Sequence, residues 1–169
     1  IKDISENNKT IMWVGNFKHI KAPEKLFELA ELLPDYQFQM VGRCDQKTYS
    51  KLMKQIDETN NVEYLGAKTQ DEVNELLSSA TYFFNTSLAE GFPNTFIQAW
   101  GRGLPVLSLN VDPNGIINKR ELGMCSSSYK ALAEFVMKVQ DKPERLLSLR
   151  TRCHDYALNN HSLDVRDRL

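Results

Sequence analysis

The sequence predicts an α/β protein built on a doubly wound, Rossmann-like parallel sheet of about six strands, with helices on both faces. Three observations carry this. Short apolar runs, several of them closed by glycine, alternate with stretches of helical periodicity from one end of the chain to the other. Strands and helices of these lengths in strict alternation imply right-handed βαβ crossovers, hence a parallel sheet buried on both sides. The 169 residues, 41% hydrophobic and 25% charged, also suit one globular domain with a single core.

The elements follow in order. Ile11-Met12-Trp13-Val14-Gly15 is an apolar run ended by glycine, which suits a buried strand. A polar loop leads to a helix opened by Pro23, a residue favoured in a first turn, with Leu26, Leu29, Ala30 and Leu33 at helical spacing. Tyr36 to Val41 form a second strand closed by Gly42, and Tyr49, Leu52, Met53 and Ile56 mark the apolar stripe of the next helix. Val62 to Leu65, stopped by Gly66, give a third strand. Thr69 and Glu72 have the spacing of a capping box, ahead of a helix that buries Val73, Leu76, Leu77 and Ala80. Thr81 to Asn85 make the fourth strand, and a loop with its helix fills Thr86 to Arg102. Pro105 to Leu109 form the fifth, and a loop through Asp112-Pro113-Asn114-Gly115 leads to a short strand near Met124-Cys125. Two helices finish the chain, one on Leu132, Phe135, Val136 and Val139, the other starting at Pro143.

Bulk properties narrow the function. A net charge of −1 argues against a nucleic-acid partner, because phosphate binding needs a concentrated basic face. No apolar stretch approaches the roughly 20 residues that cross a bilayer, and no basic-then-apolar leader directs export. Cys44, Cys125 and Cys153 lack CxxC spacing and read as reduced thiols of a cytoplasmic protein. Residues 1–10, polar and aperiodic, read as an interdomain linker remnant ahead of a single domain over 11–169, which suggests a piece of a larger protein.

In a doubly wound sheet, ligands sit beyond the carboxyl ends of the strands. The most informative such segment is Ser87-Leu88-Ala89-Glu90-Gly91-Phe92-Pro93-Asn94-Thr95-Phe96-Ile97-Gln98-Ala99-Trp100. It leaves a strand, turns at a glycine and enters a helix through Pro93. Free N–H groups at such a helix start, with the helix dipole behind them, suit a diphosphate. Gly91 lets backbone approach a ligand closely, Glu90 can accept from sugar hydroxyls, and Gln98 lies one turn on, within reach of a ribose. On the residues alone, a capped helix with Glu90 solvated and Gln98 exposed is an equal reading.

The segment from Glu90-Gly91-Phe92 to Gln98-Ala99, continued by Gly103-Leu104-Pro105-Val106, resembles the signature E-G-F-x-x-x-x-x-E-A-x-x-x-G-x-P-V of the GT4 (group 1) family of retaining GT-B glycosyltransferases. The similarity runs in order through Trp13-Val14-Gly15-Asn16, Lys21, Val41-Gly42, Tyr64-Leu65-Gly66, Asp112-Pro113-Asn114-Gly115 and Leu122-Gly123. It implies the C-terminal, nucleotide-sugar-binding half of a GT-B fold, with the acceptor domain absent. It assigns Glu90 to hydroxyls of the donor sugar, the Gly91 and Phe92 amides to the diphosphate, and position 98 to the ribose. Lys21 would neutralise charge on the leaving diphosphate, which makes Lys21 and Glu90 the catalytic pair. Gly15, Asn16, Pro93 and Asn94 complete the donor site, and the base falls near Gly66 and Lys68.

Two positions depart from the family pattern. Asn16 stands where arginine is usual, and Gln98 where glutamate is usual, which removes a cation from the diphosphate and a charge-assisted bond from the ribose, the latter worth about 1–2 kcal/mol. Arg43, just past the second strand, is a candidate for the missing charge, and His19 lies between Asn16 and Lys21. No Asp-x-Asp pair or histidine spacing holds a metal, so the expected binding is metal-independent and needs no cofactor. The resemblance implies a nucleotide-diphospho-sugar donor, a glycan or lipid-linked acceptor bound by the missing domain, and an isolated chain that transfers little. It places the intact protein in the cytoplasm, with peripheral association at the inner face of the membrane left open. A non-catalytic sugar-nucleotide or carbohydrate module derived from such an enzyme is the alternative, and an unrelated doubly wound domain is the third.

Overall fold

The computed structural model describes residues 8–166; of the expected linker, residues 1–7 lie outside them. The strands are β1 (Thr10–Val14), β2 (Gln37–Val41), β3 (Val62–Tyr64), β4 (Tyr82–Asn85), β5 (Val106–Ser108) and β6 (Gly123–Cys125). They pair in parallel throughout, in the order β3-β2-β1-β4-β5-β6. From β1 the chain winds outward to β2 and β3, then crosses back and winds the other way through β4, β5 and β6. Right-handed crossovers therefore send helices to both faces, and the loops leaving β1 and β4 part company at the centre of the rim. The doubly wound sheet expected from the sequence is the sheet observed.

The helices are α1 (Leu26–Leu32), α2 (Ser50–Glu58), α3 (Gln70–Ser79), α4 (Asn94–Gly101), α5 (Ile116–Lys119), α6 (Tyr129–Gln140) and α7 (Pro143–Arg166). α1 packs on α6, and α4 packs on α3 and α7. The apolar stripes read from the sequence are the buried faces: Leu26, Leu29 and Ala30 of α1, Val73 and Leu77 of α3, and Leu132 and Val136 of α6 are all buried. β4 is buried at every residue, as a central parallel strand requires. The capping box forms as read, with Thr69 Oγ1 accepting from Glu72 N and Glu72 Oε2 accepting from Thr69 N at 2.7 Å.

Two elements differ from the sequence reading. Pro23 opens a 3₁₀ turn, Pro23–Lys25, and α1 proper begins only at Leu26, because the chain enters from Ala22 in the left-handed region (φ 43°) after another 3₁₀ turn at His19–Lys21. The loop through Asp112 is also more ordered than expected. It holds a 3₁₀ turn at Pro113–Gly115 and the single turn of α5, whose start is held by Asp112 accepting from Ile117 N at 2.7 Å. One turn is too short to show periodicity.

Arg150 is the notable polar residue of the core, only 4% exposed in the middle of α7. Its guanidinium donates to Ala80 O and Arg102 O, the carbonyls at the C-terminal caps of α3 and α4, at 3.4 Å each. A buried cation facing two helix C-termini satisfies orphan carbonyls and opposes the negative ends of both dipoles. Arg150→Ala is expected to lower unfolding stability by about 2 kcal/mol or more, read by urea titration; a variant as stable as the wild type would show that these contacts contribute nothing.

Candidate functional site

The rim of the sheet is stitched together where β1, β2 and β3 end. Gly15 N donates to Val41 O at 2.9 Å, Gly42 N to Gly66 O at 3.0 Å, and Tyr64 OH to Gly42 O at 2.8 Å. Gly42 has φ +150°, and a Cβ there would fall 1.8 Å from the carbonyl oxygen of Gly15. Only glycine lets the two strand ends come this close. The next residues clasp each other: Phe17 N donates to Arg43 O at 2.8 Å, and Arg43 N donates to Asn16 Oδ1 at 3.2 Å. Beneath them Phe17 packs against Trp13, Tyr49 and Tyr64, with ring centroids 5.1–5.8 Å away.

Across the switch point, β4 runs into Asn85-Thr86-Ser87, all buried. Thr86 Oγ1 accepts from Trp13 Nε1 at 2.8 Å and donates to Lys21 O at 2.7 Å. Leu88 N donates to Ile20 O at 2.9 Å. The 3₁₀ turn that carries Lys21 is thereby fixed against the end of β4. The lysine stem passes over Gly15, its Cδ 3.7 Å from the place a Cβ would occupy, and Nζ reaches Glu90 Oε2 at 2.9 Å.

Glu90 is held from three sides. Besides the ion pair, Oε1 accepts from Asn85 Nδ2 at 3.1 Å and from Ser87 Oγ. Burial pushes the carboxyl pKa up, but the hydrogen bonds from Lys21, Ser87 and Asn85 and the lysine charge outweigh it, so the net position is below the usual carboxylate value. The carboxylate is thus kept ionised, with Oε2 toward the lysine and its side chain 17% exposed.

Past Glu90 the chain turns into α4 with Pro93 at the N-cap. The amides of Gly91, Phe92, Asn94 and Thr95 donate to no acceptor among the described residues, and the first turn of α4 carries no acidic residue. Free N–H groups and an unopposed dipole make this turn attractive to an anion. Gly91 has an ordinary φ, and a Cβ there would have nothing within 4 Å. The described residues place no demand for glycine at this position. Phe92, 40% exposed, leans on Trp100 and on His161 at the kink of α7.

Of the residues singled out from the sequence, Gly15, Asn16, Lys21 and Glu90 gather at the switch point, and Gly91, Phe92, Pro93 and Asn94 form the turn that follows Glu90. Gln98 stands half-buried one turn further along α4; its side chain meets no hydrogen-bonding partner among the described residues. Gly66 is tied into the rim, whereas Lys68 pairs with Glu72 at 3.6 Å, at the start of α3. His19 is exposed, and the Arg43 guanidinium has no partner among the described residues. Trp13, Thr86, Asn85 and Ser87, which hold the pair in place, were not among the candidates. The available signal was three polar residues immediately after an aromatic strand, where buried polar groups need assigned partners.

Comparisons with known proteins bear on this arrangement. The family model described as "Glycosyl transferases group 1" matches residues 1–159. An uncharacterized glycosyltransferase of Haemophilus influenzae is 31% identical over 111 residues, covering 63% of this chain and 31% of that protein. The O-antigen biosynthesis glycosyltransferase WbnH of Escherichia coli is also 31% identical over 111 residues, covering 62% of this chain and 31% of its own. The chain therefore spans about a third of the length of these two relatives. Among solved structures, TarM of S. aureus, in complex with fondaparinux, alpha-GlcNAc-glycerol and UDP, superposes with TM-score 0.80 at 18% identity over 99% of this chain and 36% of that one.

The electrostatics of Glu90 give a pH signature. Its folded-state pKa lies below the unfolded one, so its contribution to stability is complete above the ordinary carboxylate pKa and is lost as pH falls through the folded value. Glu90→Gln is expected to be less stable than the wild type at neutral pH, with the gap closing in acid below about pH 4. Urea unfolding of both proteins at the two pH values checks this; a gap that persists in acid contradicts it.

Proposed function

The chain belongs to the glycosyl transferases group 1 family, and from that premise we propose that the rim around Lys21, Glu90 and Gly91 binds a nucleotide-diphospho-sugar donor. In this reading the intact protein is a retaining hexosyltransferase of polysaccharide, lipopolysaccharide or glycolipid synthesis, with its acceptor held by a further domain. The observation that carries the proposal is the row of unused amides from Gly91 into α4, set just beyond a lysine–glutamate pair.

Each part has a chemical task. The amides and the α4 dipole receive the diphosphate, which also draws Lys21 away from Glu90. The freed carboxylate, ionised at neutral pH, accepts from hydroxyls of the sugar. When the bond between the anomeric carbon and the diphosphate oxygen breaks, both electrons stay on the diphosphate. Donors already in place then stabilise more charge in the transition state than in the ground state, which is what accelerates the step. The acceptor hydroxyl attacks the same face and its proton passes to the departing diphosphate, so the anomeric configuration is retained. Because protein groups supply the neutralising charge, binding is expected to be indifferent to EDTA. The base is assigned to the loop at Gly66 and Lys68, and the UDP in the TarM complex makes UDP the first nucleotide to try.

A second reading is favoured by two observations: Asn16 spends its side-chain oxygen on the Arg43 amide, and Gln98 offers no carboxylate. A module that binds sugar nucleotides without transferring them fits this too. Transfer by the longer protein, abolished by Lys21→Ala, separates the two.

Calorimetric titration with UDP, GDP and ADP tests the proposal. At least one is expected to bind, and Lys21→Ala to weaken it tenfold or more, as loss of a charge-assisted bond of about 1.5–3 kcal/mol requires. Gly91→Ala is expected to leave the melting temperature unchanged or slightly raised while weakening the diphosphate roughly tenfold and the bare nucleoside little. A folded chain that binds none of the three nucleotides would remove the proposal.

A further inference from the structure

Charge at the proposed site does not balance on Lys21 alone. In the resting molecule Lys21 and Glu90 form a pair of no net charge, and Glu90 remains at the site when a donor arrives. A diphosphate carries more than one negative charge, and free amides supply only the partial charge of a helix end. A second full cation is needed within reach of Gly15 and Asn16. Lys68 is engaged with Glu72 at 3.6 Å. Three exposed cations are left on the loops leaving β1 and β2, Lys18, Arg43 and Lys47, and none of their side chains has a partner among the described residues; Lys47 is turned to Asp45, whose Oδ1 accepts from the Lys47 amide at 3.2 Å.

We infer that Arg43 is the second diphosphate-binding cation, an inference that rests on the donor-binding reading above. Its backbone is clasped on both sides by the loop after β1, through Arg43 N to Asn16 Oδ1 at 3.2 Å and Phe17 N to Arg43 O at 2.8 Å. Gly42 beneath it lies so close to Gly15 that a Cβ would sit 1.8 Å from the Gly15 carbonyl oxygen. The Lys21 stem runs over that same Gly15. Both cations are therefore rooted beside one dipeptide, Gly15-Asn16, from two different loops. Asn16 acts here through Arg43: its carboxamide fixes where the arginine stands. Lys18 has no comparable tie to the rim; its carbonyl accepts from Lys21 N inside the 3₁₀ turn. A guanidinium also fits two phosphate oxygens at once, which an ammonium does not.

The experiment titrates the wild type, Arg43→Gln, Arg43→Lys and Lys18→Gln with the tightest-binding of UDP, GDP and ADP, and with its nucleoside, at low and high salt. Arg43→Gln is expected to weaken the nucleotide roughly tenfold, to flatten its salt dependence and to leave the nucleoside unchanged. Arg43→Lys is expected to recover part of the loss, and Lys18→Gln to stay within about twofold of wild type. Wild-type affinity in Arg43→Gln, a loss that falls on Lys18→Gln instead, or equal losses for nucleotide and nucleoside would each overturn the inference while the donor-binding reading stands. A wild type that binds no nucleoside diphosphate overturns both.

Discussion

One buried hydroxyl holds the two halves of the rim in register. Thr86 Oγ1 accepts from the Trp13 indole and gives its proton to the Lys21 carbonyl, joining the core of β1, the end of β4 and the turn between Lys18 and Ala22. A hydroxyl has one proton to donate, and here both its roles are fixed by neighbours that are themselves fixed. An indole N–H buried in a strand must donate somewhere, and a buried threonine must be satisfied, so neither can let go cheaply. The position of the lysine backbone follows from this pair of bonds. Its ammonium then has little choice of partner but Glu90, whose own carboxylate is braced by Asn85 and Ser87.

The resting site is consequently closed on itself electrically while open sterically. Opposite charges 2.9 Å apart neutralise each other, and the amides at the start of α4 stay unused. In the proposed donor complex an anion would compete with Glu90 for the lysine, and a sugar's hydroxyls would then satisfy the carboxylate that the lysine leaves. A nucleoside diphosphate alone would leave Glu90 without its lysine, so it is expected to bind more weakly than the full sugar nucleotide. The proposed site would therefore favour ligands that carry an anion and hydroxyls at a fixed separation over simple phosphates and simple sugars.

Much of this was legible in the chain, and for identifiable reasons. Long segments with strong periodicity, such as those of α3 and α6, and apolar runs ended by glycine specify their elements locally, and alternation then fixes the topology. The capping box at Thr69 was legible because both its bonds lie within four residues. What escaped was short or non-local. α5 is a single turn, Pro23 begins a 3₁₀ turn because of the left-handed Ala22 before it, and the partners of Arg150 lie 48 and 70 residues away. The site divides the same way. Lys21, Glu90 and Gly91 stand out in motif spacing, whereas Asn85, Ser87, Thr86 and Trp13 act through contacts that only the folded sheet creates. Asn16 looks like a lost charge in sequence and turns out to be a tether for Arg43.

Two glycines of the rim differ in what the fold asks of them. Gly42 is compelled: its φ is +150°, and a Cβ there would fall 1.8 Å from the Gly15 carbonyl oxygen, which leaves no room for any side chain. Gly91 is not compelled by any described residue, since its φ is ordinary and none of them lies within 4 Å of a Cβ built on it. Glycine costs the fold conformational entropy that alanine would spare, about 0.4–1 kcal/mol at a site that tolerates either. A glycine with no reason among the described residues, placed between a glutamate and a run of amides those residues leave unused, is what the proposed anion site would need. The same volume that a methyl group would fill is the volume through which an oxygen of a bound anion would reach those N–H groups, so the cost to stability and the access to ligand are two aspects of one missing atom.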